Sequence, residues 1–404
     1  MRIAIFNDYQ LPIPAVKGGS VPMLTQFILD ENEKNPRFEI DVYSCYDKLA
    51  EEKSKSYKHT HFIYSKDASK VRFKTNLLFT LKNKLKIPFD LSKIPMPKSA
   101  KKYFQAQSYD AVYINGYIRG ALAIMDAQKS GKTIIHHHVV TDLLGEKTIR
   151  GEELIRRADK LCFVSSFAET FTQGLNEDEQ KKFITLPNAI DVERFATKSE
   201  EDVLAIRAQY AIKPTDKVVL FVGRMVPDKG AYELIKGFID ANLGDDVKLL
   251  IVGGATYSSK KVTPYVQTCL DLAKNSPNII FTGYVPYSQL ERYYHIADVS
   301  TLLSRCNEAC GLVGIESIAS GLPLITTDRG GIGEYVIDGC KVVVPDDENM
   351  VENVSKALRL LVENDELRVQ LGENGRQRSR LFDKKAYFEN FVKMITSLVE
   401  EREE

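Results

Sequence analysis

The sequence predicts an α/β protein built from two Rossmann-like halves in tandem. Three observations carry this. The chain has 404 residues, more than one hydrophobic core usually organises. Short apolar runs alternate with stretches of helical periodicity, the pattern of βαβ units and parallel sheets. The pattern then restarts in the second half, after a charged break.

The elements can be read in order. In the first half, strands are expected over Arg2–Phe6, Glu39–Tyr43, Asp110–Ile114, Thr133–His137 and Lys160–Val164. A strand-like run ends at Leu186-Pro187-Asn188, and the halves join near Asp191–Arg207, around the charged stretch Lys198-Ser199-Glu200-Glu201-Asp202. The second half repeats the scheme with strands over Val218–Val222, Lys248–Val252, Asn278–Phe281, Asp298–Leu303, Leu322–Thr326 and Lys341–Val344. Leu234, Ile235, Phe238 and Ile239 recur at helical spacing, as do Phe388, Phe391, Val392, Ile395 and Leu398. The domain limits expected from this are 1–195, 196–380, and a last helix over 381–404 that crosses back to the first domain.

Composition excludes several classes. Hydrophobic residues make up 44% and charged residues 27%, ordinary globular values. Lysine plus arginine (55) balances aspartate plus glutamate (55), so net charge gives no argument for a nucleic-acid partner. The start Arg2-Ile3-Ala4-Ile5-Phe6 runs into Asn7-Asp8, too short an apolar run for a secretion signal. No stretch approaches the roughly 18 apolar residues of a spanning helix. Both features point to the cytoplasm. Cys45, Cys162, Cys269, Cys306, Cys310 and Cys340 are scattered without a C-x-x-C pair. Neither a disulfide framework nor a zinc site is expected of them.

Three segments carry candidate chemistry. Gly223-Arg224-Met225-Val226-Pro227-Asp228-Lys229-Gly230 follows a strand directly. It aims its loop at the carboxyl edge of the sheet, where open α/β folds bind ligands. Arg224 could grip a diphosphate bidentately and Lys229 add a point charge. A solvated loop with two surface cations fits the same pattern. Glu308-Ala309-Cys310-Gly311-Leu312-Val313-Gly314-Ile315-Glu316 should start a helix near Gly311, whose N–H groups suit a phosphate oxygen. Glu308 and Glu316 could accept hydrogen bonds from neighbouring sugar hydroxyls; the alternatives are a helix cap and a buried partner for a cation. Ser320–Glu334 holds Gly321, Gly330, Gly331 and Gly333, another place for close backbone approach. His136-His137-His138 ends a strand-like run, with His136 and His138 on one side. It reads as a polar strand end lining a binding edge; a metal site lacks a carboxylate or cysteine spaced to complete it, and a hydrogen-bonded structural histidine stays open.

Taken together, these segments resemble the retaining glycosyltransferases of family 4, which have the GT-B fold of two Rossmann-like domains facing each other across a cleft. The resemblance rests on G-R-x(4)-K-G at Gly223–Gly230 and E-x7-E at Glu308–Glu316. Gly18-Gly19, Gly321-Leu322-Pro323, Gly330-Gly331 and Pro187-Asn188-Ala189-Ile190-Asp191 extend it. It covers most of the second domain and little of the first. It departs from the family at Cys310, where an aromatic residue is common, and at Ala189, where glycine is usual.

The resemblance implies transfer of a hexosyl group from a nucleoside diphosphate sugar, UDP-sugar favoured, to a hydroxyl of a glycan or lipid-linked acceptor. Arg224 and Lys229 would stabilise the leaving diphosphate. Glu316 would hold the ribose, Glu308 and Gly311-Leu312-Val313 the sugar and β-phosphate, and Tyr284-Val285 the base. Gly18, Gly19 and Gly223 would approach phosphate closely, and His138, before His136, would touch a sugar. No D-x-D triplet is present, and the paired cations make a metal unnecessary for neutralising the diphosphate. No further cofactor is expected. Two other readings fit the same fold: a nucleotide-sugar 2-epimerase, and a catalytically silent partner subunit. The stretch 66–102 holds eleven lysines and arginines against Asp67 and Asp90, interleaved with Val71, Phe73, Leu77, Leu78, Phe79 and Leu81. It suggests peripheral contact with an anionic membrane at its inner face, or a solvated helix with a packed apolar side.

Overall fold

A computed structural model describes residues 1–68, 73, 96–140, 151–170, 172, 175–255 and 262–400. The chain divides into two compact units, Met1–Asn188 with Lys384–Glu404, and Ala189–Asp383. The divisions thus fall at Asn188/Ala189 and Asp383/Lys384, against the expected 195/196 and 380/381. The expected membrane-facing stretch 66–102 lies mostly outside the described residues.

Unit one carries a parallel sheet of β1 (Arg2–Asn7), β2 (Glu39–Cys45), β3 (Thr60–Ser65), β4 (Ala111–Asn115), β5 (Lys132–His137), β6 (Lys160–Phe163) and β7 (Phe183–Thr185), in the order β3-β2-β1-β4-β5-β6-β7. Its central strands are apolar runs buried on both faces, as parallel strands covered by helices must be; Ile3, Ala4, Ile5 and Phe6 are fully buried. Phe6 stacks on Tyr43 with centroids 4.1 Å apart, and Phe104 meets both rings edge-on. The helix α1 (Ser20–Lys34) follows β1.

Unit two repeats the plan with β8 (Lys217–Val222), β9 (Val247–Val252), β10 (Ile279–Gly283), β11 (Val299–Leu302), β12 (Leu324–Thr326) and β13 (Lys341–Val343), in the order β10-β9-β8-β11-β12-β13. The helix α2 (Ala231–Ala241) buries Leu234, Ile235 and Phe238 against Val219, Phe221, Leu249 and Ile251. The helices α3 (Leu312–Ala319) and α4 (Met350–Glu363) follow later in this unit.

In both sheets, all of whose strands are parallel, the strand order reverses beside the first strand, at β1/β4 and at β8/β11. Such a switch point opens a crevice outside the carboxyl ends of the strands, where this architecture binds ligands. The final helix α5 (Lys384–Glu400) belongs to unit one. The face spaced for burial in the sequence is the buried one: Phe388, Phe391, Val392, Ile395 and Leu398 all pack inward, and Phe391 meets Tyr113 at 5.0 Å and Phe38 at 6.0 Å. Among the described residues no helix is long and apolar enough to cross a membrane.

Candidate functional site

In unit two, four loops meet at the β8/β11 switch point. The first leaves β8 at Gly223 and turns through a short 3₁₀ segment, Pro227–Lys229. Arg224 is exposed on it and Lys229 is half-buried. Gly230 closes the loop at φ 67°, and a Cβ there would meet the Leu303 carbonyl oxygen at 2.2 Å. Only glycine lets this loop lie against the end of β11. The main chain ties the same loops again, Arg305 N–H donating to Asp228 O at 2.8 Å.

The pairing this creates is the centre of the site. The Lys229 ammonium donates to Glu308 Oε1, and Ser304 Oγ donates to the same oxygen at 2.5 Å. Both ionic side chains are about four-fifths enclosed, with exposures of 20% and 16%. Glu308 therefore is not a helix cap; the capping position of α3 belongs to Gly311. The backbone of Glu308 is held in turn: Gly331 N–H donates to Glu308 O at 2.7 Å, and Glu308 bridges to Gly330. The loop carrying Gly330 is pinned by Asp328, which accepts from the buried Lys341 ammonium at 2.8 Å.

Gly311 stands at φ 79° before α3, where a Cβ would press on Leu302 and Ile332 at 3.2 and 3.3 Å. Gly311, Leu312 and Val313, at the helix N-terminus, are half-buried. Cys310 beside them is buried. Deeper in α3, Glu316 is 3% exposed, with the Tyr294 hydroxyl donating to it at 2.7 Å. Burial pushes its carboxyl up to about 7, against the stabilising contacts of Tyr294, Arg194 and Tyr287. Tyr284 is exposed and Val285 half-buried in the loop after β10. Of the expected residues of this half, Lys229 and Glu308 are brought into contact, Gly311, Leu312 and Val313 stand at the start of α3 with Glu316 deeper in that helix, and Arg224, Tyr284 and Val285 lie on the loops after β8 and β10. Ser304, Tyr294 and Arg194 join them without any local sequence signal.

Unit one has its own polar edge. Gly18 and Gly19 precede α1, both at positive φ (70° and 98°). His136 and His138 face the same way, their rings 4.0 Å apart. His136 is fully buried, with its Nδ1 against the Tyr113 hydroxyl. His138 retains partial exposure while its ring is enclosed. Burial and then the neighbouring His137 hold the imidazole down to about 3, against a smaller opposing pull from the Asn188 side chain, so it is neutral at physiological pH. Its Nε2 lies 2.5 Å from Asn115 Oδ1. Among the described residues no three His, Cys, Asp or Glu side chains group as metal ligands.

Comparison with known proteins resolves the second unit. The family model described as glycosyl transferases group 1 matches residues 202–378, a span that contains Arg224, Lys229, Glu308 and Glu316. Residues 202–378 are a glycosyl transferases group 1 domain. The match supports glycosyltransferase activity. YtcC of Bacillus subtilis, a glycosyltransferase by name, is 25% identical over 387 residues, 93% of this chain and 87% of its own length. The lipopolysaccharide 1,2-N-acetylglucosaminetransferase of Salmonella typhimurium is 32% identical over 158 residues, 38% of this chain and 40% of its own. Among solved structures, Anabaena HepE in complex with UDP-glucose superposes with a TM-score of 0.71 at 17% identity, covering 98% of this chain and 99% of its own. That likeness establishes the fold: two parallel-sheet Rossmann-like domains of the GT-B type.

Proposed function

We propose that this chain is a retaining, metal-independent glycosyltransferase, moving a hexosyl group from a nucleoside diphosphate sugar to a hydroxyl acceptor. The observation that carries the reading is the Lys229–Glu308 pair beside the N-terminus of α3, inside the group 1 domain. A donor's diphosphate competes with Glu308 for the Lys229 ammonium. Arg224 and the α3 N–H groups supply the rest of the neutralisation as negative charge grows on the leaving group. Glu308, released from the lysine, faces the sugar hydroxyls, and Glu316 takes those of the ribose. The bond from the anomeric carbon to the diphosphate oxygen breaks while the acceptor oxygen bonds to that carbon on the same face. The acceptor's proton passes to the departing phosphate oxygen, so no separate general base is required.

UDP-sugar is the favoured donor, in line with the UDP-glucose held by HepE. A surface glycan or lipid-linked acceptor is in line with the lipopolysaccharide named for the Salmonella relative. The basic stretch 66–102 supports work at the inner face of a membrane, on its sequence alone. The test is a screen of UDP-, GDP-, ADP- and dTDP-sugars for donor hydrolysis and for thermal stabilisation. At least one donor is expected to be hydrolysed slowly and to stabilise the protein. A flat response to all four classes would refute the proposal.

A further inference from the structure

The segments around the Lys229–Glu308 pair are tied together at Arg305, which lies in neither of the motifs that supply the pair. Its main-chain N–H donates to Asp228 O at 2.8 Å, one residue before Lys229. Its side chain reaches two further segments. Nη1 donates to Glu233 Oε1 at 2.6 Å, in the first turn of α2, and Nε donates to Asp346 Oδ1 at 3.1 Å, just after β13. Arg329 completes the cluster: its Nη2 lies 3.3 Å from Asp346 Oδ2 and donates to Arg305 O at 3.3 Å. Gly330 and Gly331, which follow Arg329, hold the backbone of Glu308. Four segments of unit two thus meet at one side chain, and two of them carry Lys229 and Glu308.

The cluster is uneven in its exposure. Arg305 and Arg329 are 46% and 45% exposed, whereas the side chains of Glu233 and Asp346 are only 14% and 10% exposed. A single exposed ion pair contributes little. Here one guanidinium serves two enclosed carboxylates, and Glu233 Oε2 is buried with no hydrogen-bond partner among the described residues. Without Arg305, two enclosed negative charges would face each other across its place, a costly arrangement that moving the segments apart relieves. A lysine there would not do the same. The planar fork presents Nε and Nη1 to both carboxylates at once, while an ammonium is a single point charge on a flexible stem.

We propose that Arg305 is a positioning residue: by clamping Glu233 and Asp346 it holds the loop of Lys229 against the loop of Glu308, at a separation that lets the ammonium pass from the carboxylate to a diphosphate. The diphosphate part rests on the proposed transferase function; the placement part does not.

The experiment is competitive acylation of lysine amines in the full-length protein, read site by site by mass spectrometry. An ammonium engaged by a carboxylate reacts slowly, so labelling of Lys229 reports the pair without any ligand. Arg305→Gln should raise Lys229 labelling at least ~5-fold, the size of a modest coupling between contacting groups. Arg305→Lys should give a smaller rise, and it carries the test if the glutamine variant does not fold. Lys217, paired with Asp365 at the far end of β8, should be unchanged. In a Glu308→Gln background, where the pair is already broken, Arg305→Gln should change Lys229 labelling by less than about twofold. A merely structural role would instead raise Lys217 as well, or add its full effect in both backgrounds, and either result would overturn the proposal. So would unchanged Lys229 labelling in both Arg305 variants. UDP, GDP, ADP and dTDP are then added in turn. At least one should slow Lys229 labelling in the wild type, and less so in Arg305→Gln. Protection by none of the four would overturn the diphosphate part alone, since the placement measurement needs no ligand.

Discussion

Replacing Glu316 by glutamine should stabilise the ligand-free protein, and only at neutral to alkaline pH. Glu316 is sealed in α3 with the Tyr294 hydroxyl donating to it and Tyr287 beside it, and its carboxyl is raised from 4.5 to about 7, chiefly by burial. An acid whose folded value lies above its unfolded value holds its proton more tightly when folded. Its contribution is therefore fully present below the unfolded value and is lost as pH rises through the folded one. The shift amounts to about 3 kcal/mol of destabilisation once the group is ionised, at 1.36 kcal/mol per pH unit. Glutamine keeps an oxygen for the Tyr294 hydroxyl and carries no charge. At pH 8 the variant should gain about 3 kcal/mol, or roughly 6–12 °C in the melting of a unit this size. At pH 5 the gain should fall below about 1 kcal/mol. Thermal melts of wild type and variant in matched buffers at the two pH values provide the assay. A gain that is equal at both pH values, or a loss at pH 8, would refute the reasoning, because the carboxylate would then not be bearing a desolvation cost.

Arg224→Ala and Lys229→Ala should each lower turnover at least ~10²-fold, about 2.7 kcal/mol, as expected for a charge contact made to the departing diphosphate; near-normal steady-state rates in both would remove these cations from the mechanism. Activity should survive EDTA, because the two cations and the α3 N-terminus supply the neutralisation that a divalent ion would otherwise give; full loss restored by magnesium or manganese would contradict this. The stretch 66–102 should bind anionic liposomes at low salt and release them at high salt, each nearby cation contributing about 1 kcal/mol at most. Co-sedimentation is the measurement, and binding that persists unchanged after charge reversal of Lys82, Lys84 and Lys86 would exclude this segment.

Much of the scaffold was legible because parallel strands buried on both faces must be apolar along their whole length. Runs such as Ile3–Phe6, Val218–Val222 and Leu249–Val252 announce themselves in that way. The strand with no counterpart in the sequence reading, Thr60–Ser65, is one edge of the first sheet; the other edge, Phe183–Thr185, lies in the strand-like run that ends at Leu186-Pro187-Asn188. Thr60–Ser65 is half-exposed, so it lacks a continuous apolar run. The group 1 loops were legible for a different reason. Gly230 and Gly311 occupy backbone positions that a side chain would obstruct, and the charged residues lie at fixed spacings from them. The supporting contacts were not. Ser304 reaches Glu308 within one loop, but Tyr294 meets Glu316, and Asn115 meets His138, only because separate strands and helices end at the same edge. No local pattern encodes such a meeting. The pinning of the Gly330 loop by the buried Lys341 is of the same kind.

Diphosphate binding by Arg224 and Lys229 is tested most directly by calorimetric titration. Nucleoside diphosphates are titrated into wild type and the Arg224→Ala/Lys229→Ala double variant at low salt. One nucleoside diphosphate, UDP first among them, should bind the wild type. The double variant should lose at least ~10²-fold in affinity, since two charge-assisted contacts to the diphosphate are removed. Equal affinity in the two proteins would contradict this, because the diphosphate would then be held somewhere other than the loop between β8 and α2.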